Sequence, residues 1–242
     1  MSTVIAQTKP HTSQSSGTWL TNHWFEIFLV VFGLWVLLPF LAPILMNMGW
    51  RGAGLDVYFF YSFFCHQLPE RSFFLFGPKT MYSLTEIQAV WQITSDPMVL
   101  RQFLGNETMR WKIAWSDRMI SFYTSVWLFA LVLSPLRQKV RHLPLKGLVL
   151  FILPLALDGV THMLSDLAGI GQGFRDSNEW FVALTNNALS PSFYAGDGLG
   201  SFNSWMRLIT GLLAGLGIVW FVFPYIFYVE FPKTHLNKLE ES

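Results

Sequence analysis

Apolar residues in this chain gather into long runs, and the polar residues between and within them fall into a few dense groups. Ile27 to Met46 is twenty residues without a charge, enough as a helix to cross a hydrocarbon core of roughly 30 Å. Pro39 and Pro43 predict a kink in its second half, and Trp24 and Trp50 bracket it as interfacial anchors do. Three further spans are predicted over about 114–133, 145–164 and 205–229. Leu55 to Leu68 is also apolar, but it holds Asp56 and is only fourteen residues long. That length suits a re-entrant or interfacial helix rather than a span. The predicted fold class is therefore all-α: a polytopic membrane bundle of about four transmembrane helices, one short re-entrant or interfacial helix and two long loops.

The connecting stretches carry their own signals. Residues 73–113 are too polar to be embedded. Within them, Ser83-Leu84-Thr85-Glu86 is a capping-box pattern predicting a short helix through about Gln92. Asp96-Pro97 predicts another, ending near Gly105. Residues 168–200, rich in glycine and holding Pro191, read as a second large loop with a helix around Glu179–Leu189. No internal repeat is visible. Residues 1–23, with Ser13, Ser15, Ser16 and Gly17, read as a disordered tail, 24–230 as one helical membrane domain and 231–242 as a polar tail. The start lacks the basic region of a cleaved signal peptide, and its apolar run is too long for one, so a retained signal anchor fits better.

Charge supplies the orientation. The short connector between the second and third spans holds Arg137, Lys139, Arg141 and Lys146 and no acid. Basic residues in short loops stay cytoplasmic, which predicts a multi-pass cell-membrane protein with both termini inside. Lys9, Lys233 and Lys238 agree with that placement. The two long loops, 47–113 and 166–204, then lie outside. The chain is 52% hydrophobic, 17% aromatic and 13% charged, about half the charge of a soluble domain. Sixteen basic against fifteen acidic residues leave no field to attract nucleic acid, so the lipid bilayer is the expected partner. One cysteine excludes an internal disulfide and a cysteine-cluster zinc site.

Polar groups inside a membrane protein are costly and need partners, water or a purpose. The run Cys65-His66-Gln67-Leu68-Pro69-Glu70-Arg71-Ser72 follows the short helix. Asp117 and Arg118 open the second span, Asp158, His162 and Asp166 lie in the outer half and mouth of the third, and Asn203 and Arg207 open the fourth. Four parts of the chain thus bring polar groups to one depth. Asp158, His162 and Asp166 share a face at successive i, i+4 positions, as do Asn203, Arg207, Gly211 and Ala214. Asp117, Ser121 and Ser125 line one side of the second span, and Gly211-x-x-x-Gly215 is a close-packing pattern. Structural readings stand beside the functional ones. Asp158 and Arg207 suit a neutralising pair, Asp117 and Arg118 suit snorkelling to the interface, and Cys65 suits a small buried hydrophobe.

The run Cys65 to Phe74 resembles the signature of a prokaryotic polytopic membrane family known only as domain of unknown function 2085. That family typically follows with Cys-x-Arg-Cys and with a Pro-Leu-Ala-Leu-Asp-Gly-like segment. Here the first is Ser116-Asp117-Arg118-Met119 and the second Pro154-Leu155-Ala156-Leu157-Asp158-Gly159. A closing Asn-x-x-x-Arg-x-x-x-Gly pattern matches Asn203, Arg207 and Gly211, so the likeness covers roughly residues 55–225. The resemblance implies a membrane protein whose polar motifs form a shared site, and it supplies no activity and no cofactor. Both cysteines of the second motif are replaced here, while Arg118 is kept.

Three function classes remain open. One is binding or transport of an anionic lipid headgroup or small anion by His66, Glu70, Arg71, Arg118, Asp158, Asn203 and Arg207, since guanidinium forks match phosphate and carboxylate geometry. Another is a metal-dependent membrane enzyme with Cys65, His66, Asp158 and His162 as ligands and a metal-bound water as nucleophile. The third is a structural or accessory subunit docked to a membrane-protein partner. The first is favoured because arginines outnumber plausible ligands. No phosphate-binding glycine loop, Gly-x-Ser-x-Gly elbow or haem-type Cys-x-x-Cys-His motif is present.

Overall fold

A computed structural model describes residues 16–136 and 139–230. Of the expected tails, 1–23 and 231–242, residues 1–15 and 231–242, with Lys9, Lys233 and Lys238, lie outside the described residues, as does Arg137, whereas residues 16–23 are helical. The chain opens with α1 (Ser16–Leu37), which passes through a 3-10 turn at Leu38–Phe40 into α2 (Leu41–Asn47). Pro39 lies in that turn and Pro43 two residues into α2, so the predicted kink is where proline removes helix donors. The short apolar segment becomes α3 (Arg51–Tyr61), three turns long and too short to cross.

Residues 72–116 hold a feature the apolar pattern did not predict, a small antiparallel sheet. It comprises β1 (Ser72–Leu75), β2 (Gly105–Asn106) and β3 (Arg110–Ser116), in the order β1-β3-β2, with Ser72 opposite Ser116 and Phe74 opposite Lys112. Alternation along β3 puts Trp111, Ile113 and Trp115 on one face. They bury themselves with Ala42, Met46, Tyr58 and Tyr61 from α2 and α3. Between β1 and β2 lie α4 (Leu84–Val90), opened by the Ser83–Glu86 capping box, and α5 (Pro97–Leu100), capped at its N-terminus by Asp96.

The second span begins later than the apolar run. Ala114 is a strand residue, and α6 (Asp117–Leu133) starts three positions on. Next come α7 (Leu145–Asp166), α8 (Phe174–Ser177), α9 (Glu179–Leu184), α10 (Pro191–Tyr194) and α11 (Phe202–Glu230). Among the described residues, four helical stretches are long and apolar enough to cross a membrane: 23–47, 117–136, 145–166 and 202–226. The protein is a helical polytopic membrane protein.

α11 is the central helix. It packs along α6 on one side and α7 on the other, while α1 packs on α6. The α6 contact is close because Gly211 and Gly215 present bare backbone to Ser121 and Ser125. A Cβ on Gly215 would lie 1.9 Å from Ser125 Oγ. The serine hydroxyls donate to the Leu208 carbonyl (2.6 Å) and to those of Phe122 (2.7 Å) and Gly211 (3.3 Å). Away from the sheet, Phe25, Val126, Ala130, Val219 and Phe223 fill the apolar core between α1, α6 and α11.

Candidate functional site

The run after α3 is shaped by one strained residue. Gln67 has φ 53°, a left-handed conformation that costs a side-chain-bearing residue unless its surroundings fix it. Three contacts do so. Its amide side chain donates to the Tyr58 carbonyl (2.9 Å), its backbone N–H donates to Cys65 Sγ (3.4 Å), and its carbonyl accepts from Lys112 Nζ (2.5 Å). Lys112 is wholly buried on β3 and also donates to the Arg101 carbonyl at 3.0 Å. Burial pulls its ammonium down to about 7. The chain then reverses through Leu68 into a 3-10 turn at Pro69–Arg71, which leaves His66 exposed and buries Glu70 and Arg71.

Arg71 enters a network of four arginines and four aspartates. It grips Asp166 with two parallel bonds (2.6 and 2.7 Å) and Asp197 through Nε (2.7 Å). Arg207, 1% exposed, meets Asp117 through Nε (2.8 Å) and Asp197 through Nη1 (2.5 Å), and also donates to the Asp197 carbonyl. Arg118 and Arg175 both donate to Asp158, at 2.7 and 2.8 Å. His162 stands between the halves. Its Nδ1 is 2.9 Å from the Asp158 carbonyl and 3.1 Å from Arg118 Nη2, and its Nε2 is 3.7 Å from Asp197 Oδ1. Burial alone would raise Asp197, but Arg71 and Arg207 beside it hold the carboxyl well below the ordinary carboxylate range. Both carboxylate oxygens of Glu70 are buried without a hydrogen bond, with Arg71 Nε 3.9 Å away. Burial pushes that carboxyl up to about 7.

Beside the network a cleft of about 470 Å³ opens between the 65–68 run, the start of α6 and the end of α7. Its lining includes Cys65, His66, Arg71, Arg118, His162, Asp166 and Arg207 among apolar side chains. Most of these guanidinium donors are already engaged. Arg118 is the exception. Its Nη2 serves Asp158 and His162, its Nε is without a partner, and its Nη1 makes no hydrogen bond. The side chain is 20% exposed, and Nη1 points past Gly159 at 3.9 Å from where a Cβ there would sit.

The four parts of the chain expected to meet do meet, but with different partners. The expected Arg207–Asp158 pair does not form. The glycine-and-serine contact brings α6 close enough for Asp117 to take Arg207, and Asp158 is held by Arg118 and Arg175. Asp117 is fully buried, so it does not snorkel. Asn203 is turned away from the cleft, donating to the Arg175 and Gly196 carbonyls at 2.7 and 3.0 Å, and Glu70 lies behind it. Cys65 Sγ is 3.6 Å from Ser116 Oγ at the cleft wall. Among the described residues no group of three His, Cys, Asp or Glu side chains is arranged to hold a metal ion. Sequence reasoning missed Lys112, Arg175, Asp197 and Asn178, whose side-chain amide donates to the Arg175 and Tyr194 carbonyls at 2.6 and 2.7 Å and so ties the loop that carries Arg175. Arg175, Asn178 and Asp197 sit in or beside glycine-rich turns, where no helical period marks a buried face. Lys112 sits on an unexpected strand.

A family model described as "Predicted membrane protein (DUF2085)" matches residues 108–221. That stretch runs from the start of β3 into α11. It includes Arg118, Asp158, His162, Arg175, Asp197 and Arg207, and it leaves the Cys65–Ser72 run outside. An uncharacterized protein of Methanocaldococcus jannaschii is 24% identical over 218 residues, covering 87% of this chain and 97% of its own length. No solved structure matches the chain.

Proposed function

We propose that the cleft binds, and in a transport cycle releases, the phosphate- or carboxylate-class anionic group of a lipid headgroup or small solute, on the outer side of the membrane. The observation that carries this reading is the free edge of Arg118. An arginine held on one side by Asp158 and His162, with Nη1 facing a cleft, is a preset donor for an anion. Exposed His66, on the same cleft, supplies a second donor when protonated or as its N–H tautomer. Arg71 and Arg207 contribute by fixing the walls, since their donors are committed to aspartates. A cleft of about 470 Å³ lies within the roughly 300–1,000 Å³ typical of small-molecule sites.

Calorimetric titration of the detergent-purified protein with inorganic phosphate and with glycerol 3-phosphate tests the reading. Arg118→Gln should weaken either ligand about tenfold or more, the scale of one lost charge-assisted hydrogen bond. Equal binding by both proteins would refute it. The mutual saturation of Arg71, Arg207, Asp117, Asp166 and Asp197 favours a second reading, a structural module in which the charges only fix the helices. In that case wild type takes up neither ligand.

A further inference from the structure

We propose that the occupant of the cleft is a lipid of the surrounding bilayer, entering sideways between α6 and α7 with its anionic headgroup against Arg118. This rests on the anion-binding reading and adds the source of the anion. The argument starts from the packing of the spans. α6 and α7 each pack along α11, and no comparable packing joins α6 to α7. Two helices that pack on a shared neighbour far more than on each other leave a groove between them, bridged here by Arg118 reaching Asp158 and His162. At the sheet end that groove runs into the cleft.

The walls suit an amphiphile. Beside Arg118 and His66 the cleft presents Met119, Met163 and Leu167. Met163 and Leu167 are 60% and 79% exposed. A site for a water-borne anion gains nothing from such a wall, whereas a lipid has acyl chains to lay on it. Gly159 keeps the passage open at the headgroup position, because a Cβ there would meet only Arg118 Nη1, at 3.9 Å. Helical spacing places Ala156 on the same face of α7, one turn below Gly159 and two below Met163. Ala156 is exposed and outside the cleft lining. The anion site is thus continuous with a groove open to hydrocarbon.

The test uses the full chain in nanodiscs, with phosphatidylglycerol as the lipid probe followed by native mass spectrometry. Inorganic phosphate and chain-free glycerophosphoglycerol serve as soluble probes by calorimetry in detergent. Ala156→Trp fills the groove below the cleft at an exposed position. It should cut phosphatidylglycerol retention about tenfold while leaving phosphate affinity within about twofold. Wild type should hold the diacyl lipid at least about tenfold more tightly than the chain-free headgroup, since buried methylenes add to affinity. That comparison needs no variant. If Ala156→Trp folds and retains the lipid like wild type, or if chains add nothing, the lateral route is wrong while the anion site stands. If Arg118→Gln retains the lipid and both soluble anions, the anion site itself is wrong.

Discussion

Arg207 commits its donors to Asp117 and Asp197, whereas Arg118, in the first turn of α6, keeps one edge of its guanidinium free. Identical chemistry therefore has two uses, set by how many carboxylates each side chain meets. Asp117→Asn leaves Arg207 buried with half of its compensation, and breaking such a pair typically costs about 3–5 kcal/mol. Thermal unfolding in detergent should show that loss, and a change under about 1 kcal/mol would mean that the pair is not a buried one. Glu70 gives a pH signature. Burial holds its carboxyl at about 7 against an ordinary 4.5, with Arg71 and Lys112 opposing the shift and Asp197 adding to it. The folded state therefore keeps a proton that the unfolded chain releases. Stability from this group is full below about pH 4.5 and is lost as pH rises through about 7, by on the order of 3 kcal/mol. Glu70→Gln should match wild type at pH 5 and melt higher at pH 8. Parallel stability–pH curves for the two proteins would contradict the burial of an ionising Glu70.

At the scale of elements, the contact between α6 and α11 positions the charges. Gly215→Ala drives a methyl group into Ser125 and should cost about 1–3 kcal/mol, as overpacking does. Ser125→Ala in the same chain should recover part of that loss. Melting curves of the single and double variants measure it, and a neutral Gly215→Ala would show that the helices stand further apart. This contact was legible in the sequence, because small residues four apart in an apolar helix have few other uses. The caps at Ser83 and Asp96 were legible for a similar reason, since their hydrogen bonds are local. β3 was not. Its residues Trp111 to Trp115 are apolar enough to extend the following span, and only pairing with Ser72–Leu75, some forty positions away in sequence, makes them a strand. Helix ends were also overrun: α4 stops at Val90, α5 at Leu100 and α9 at Leu184.

Across the whole molecule, the agreement in depth among four separated polar groups was readable because each lies at one end of an apolar run, and hydropathy fixes where the ends are. Which carboxylate meets which arginine was not readable. Pairing depends on helix rotation and on loop residues such as Arg175 and Asp197, whose positions follow only from the fold. Orientation still rests on the basic connector. In a Cys65→Ser background, an impermeant thiol reagent on intact cells should label Ile93→Cys, 92% exposed near the sheet, and not Lys139→Cys. The opposite pattern would invert the protein in the membrane. The central claim is the division of labour in which Arg207 holds the bundle and Arg118 binds the anion. The shift of the melting temperature on adding glycerol 3-phosphate, measured for wild type, Arg118→Gln and Arg207→Met, tests it most directly, because a ligand stabilises only the state that binds it. Arg118→Gln, which leaves buried Asp158 with Arg175 alone, should melt below wild type without ligand and show no shift with it, while Arg207→Met, which takes a partner from both Asp117 and Asp197, should melt lower than either. An Arg118→Gln protein that shifts as far as wild type would contradict the account.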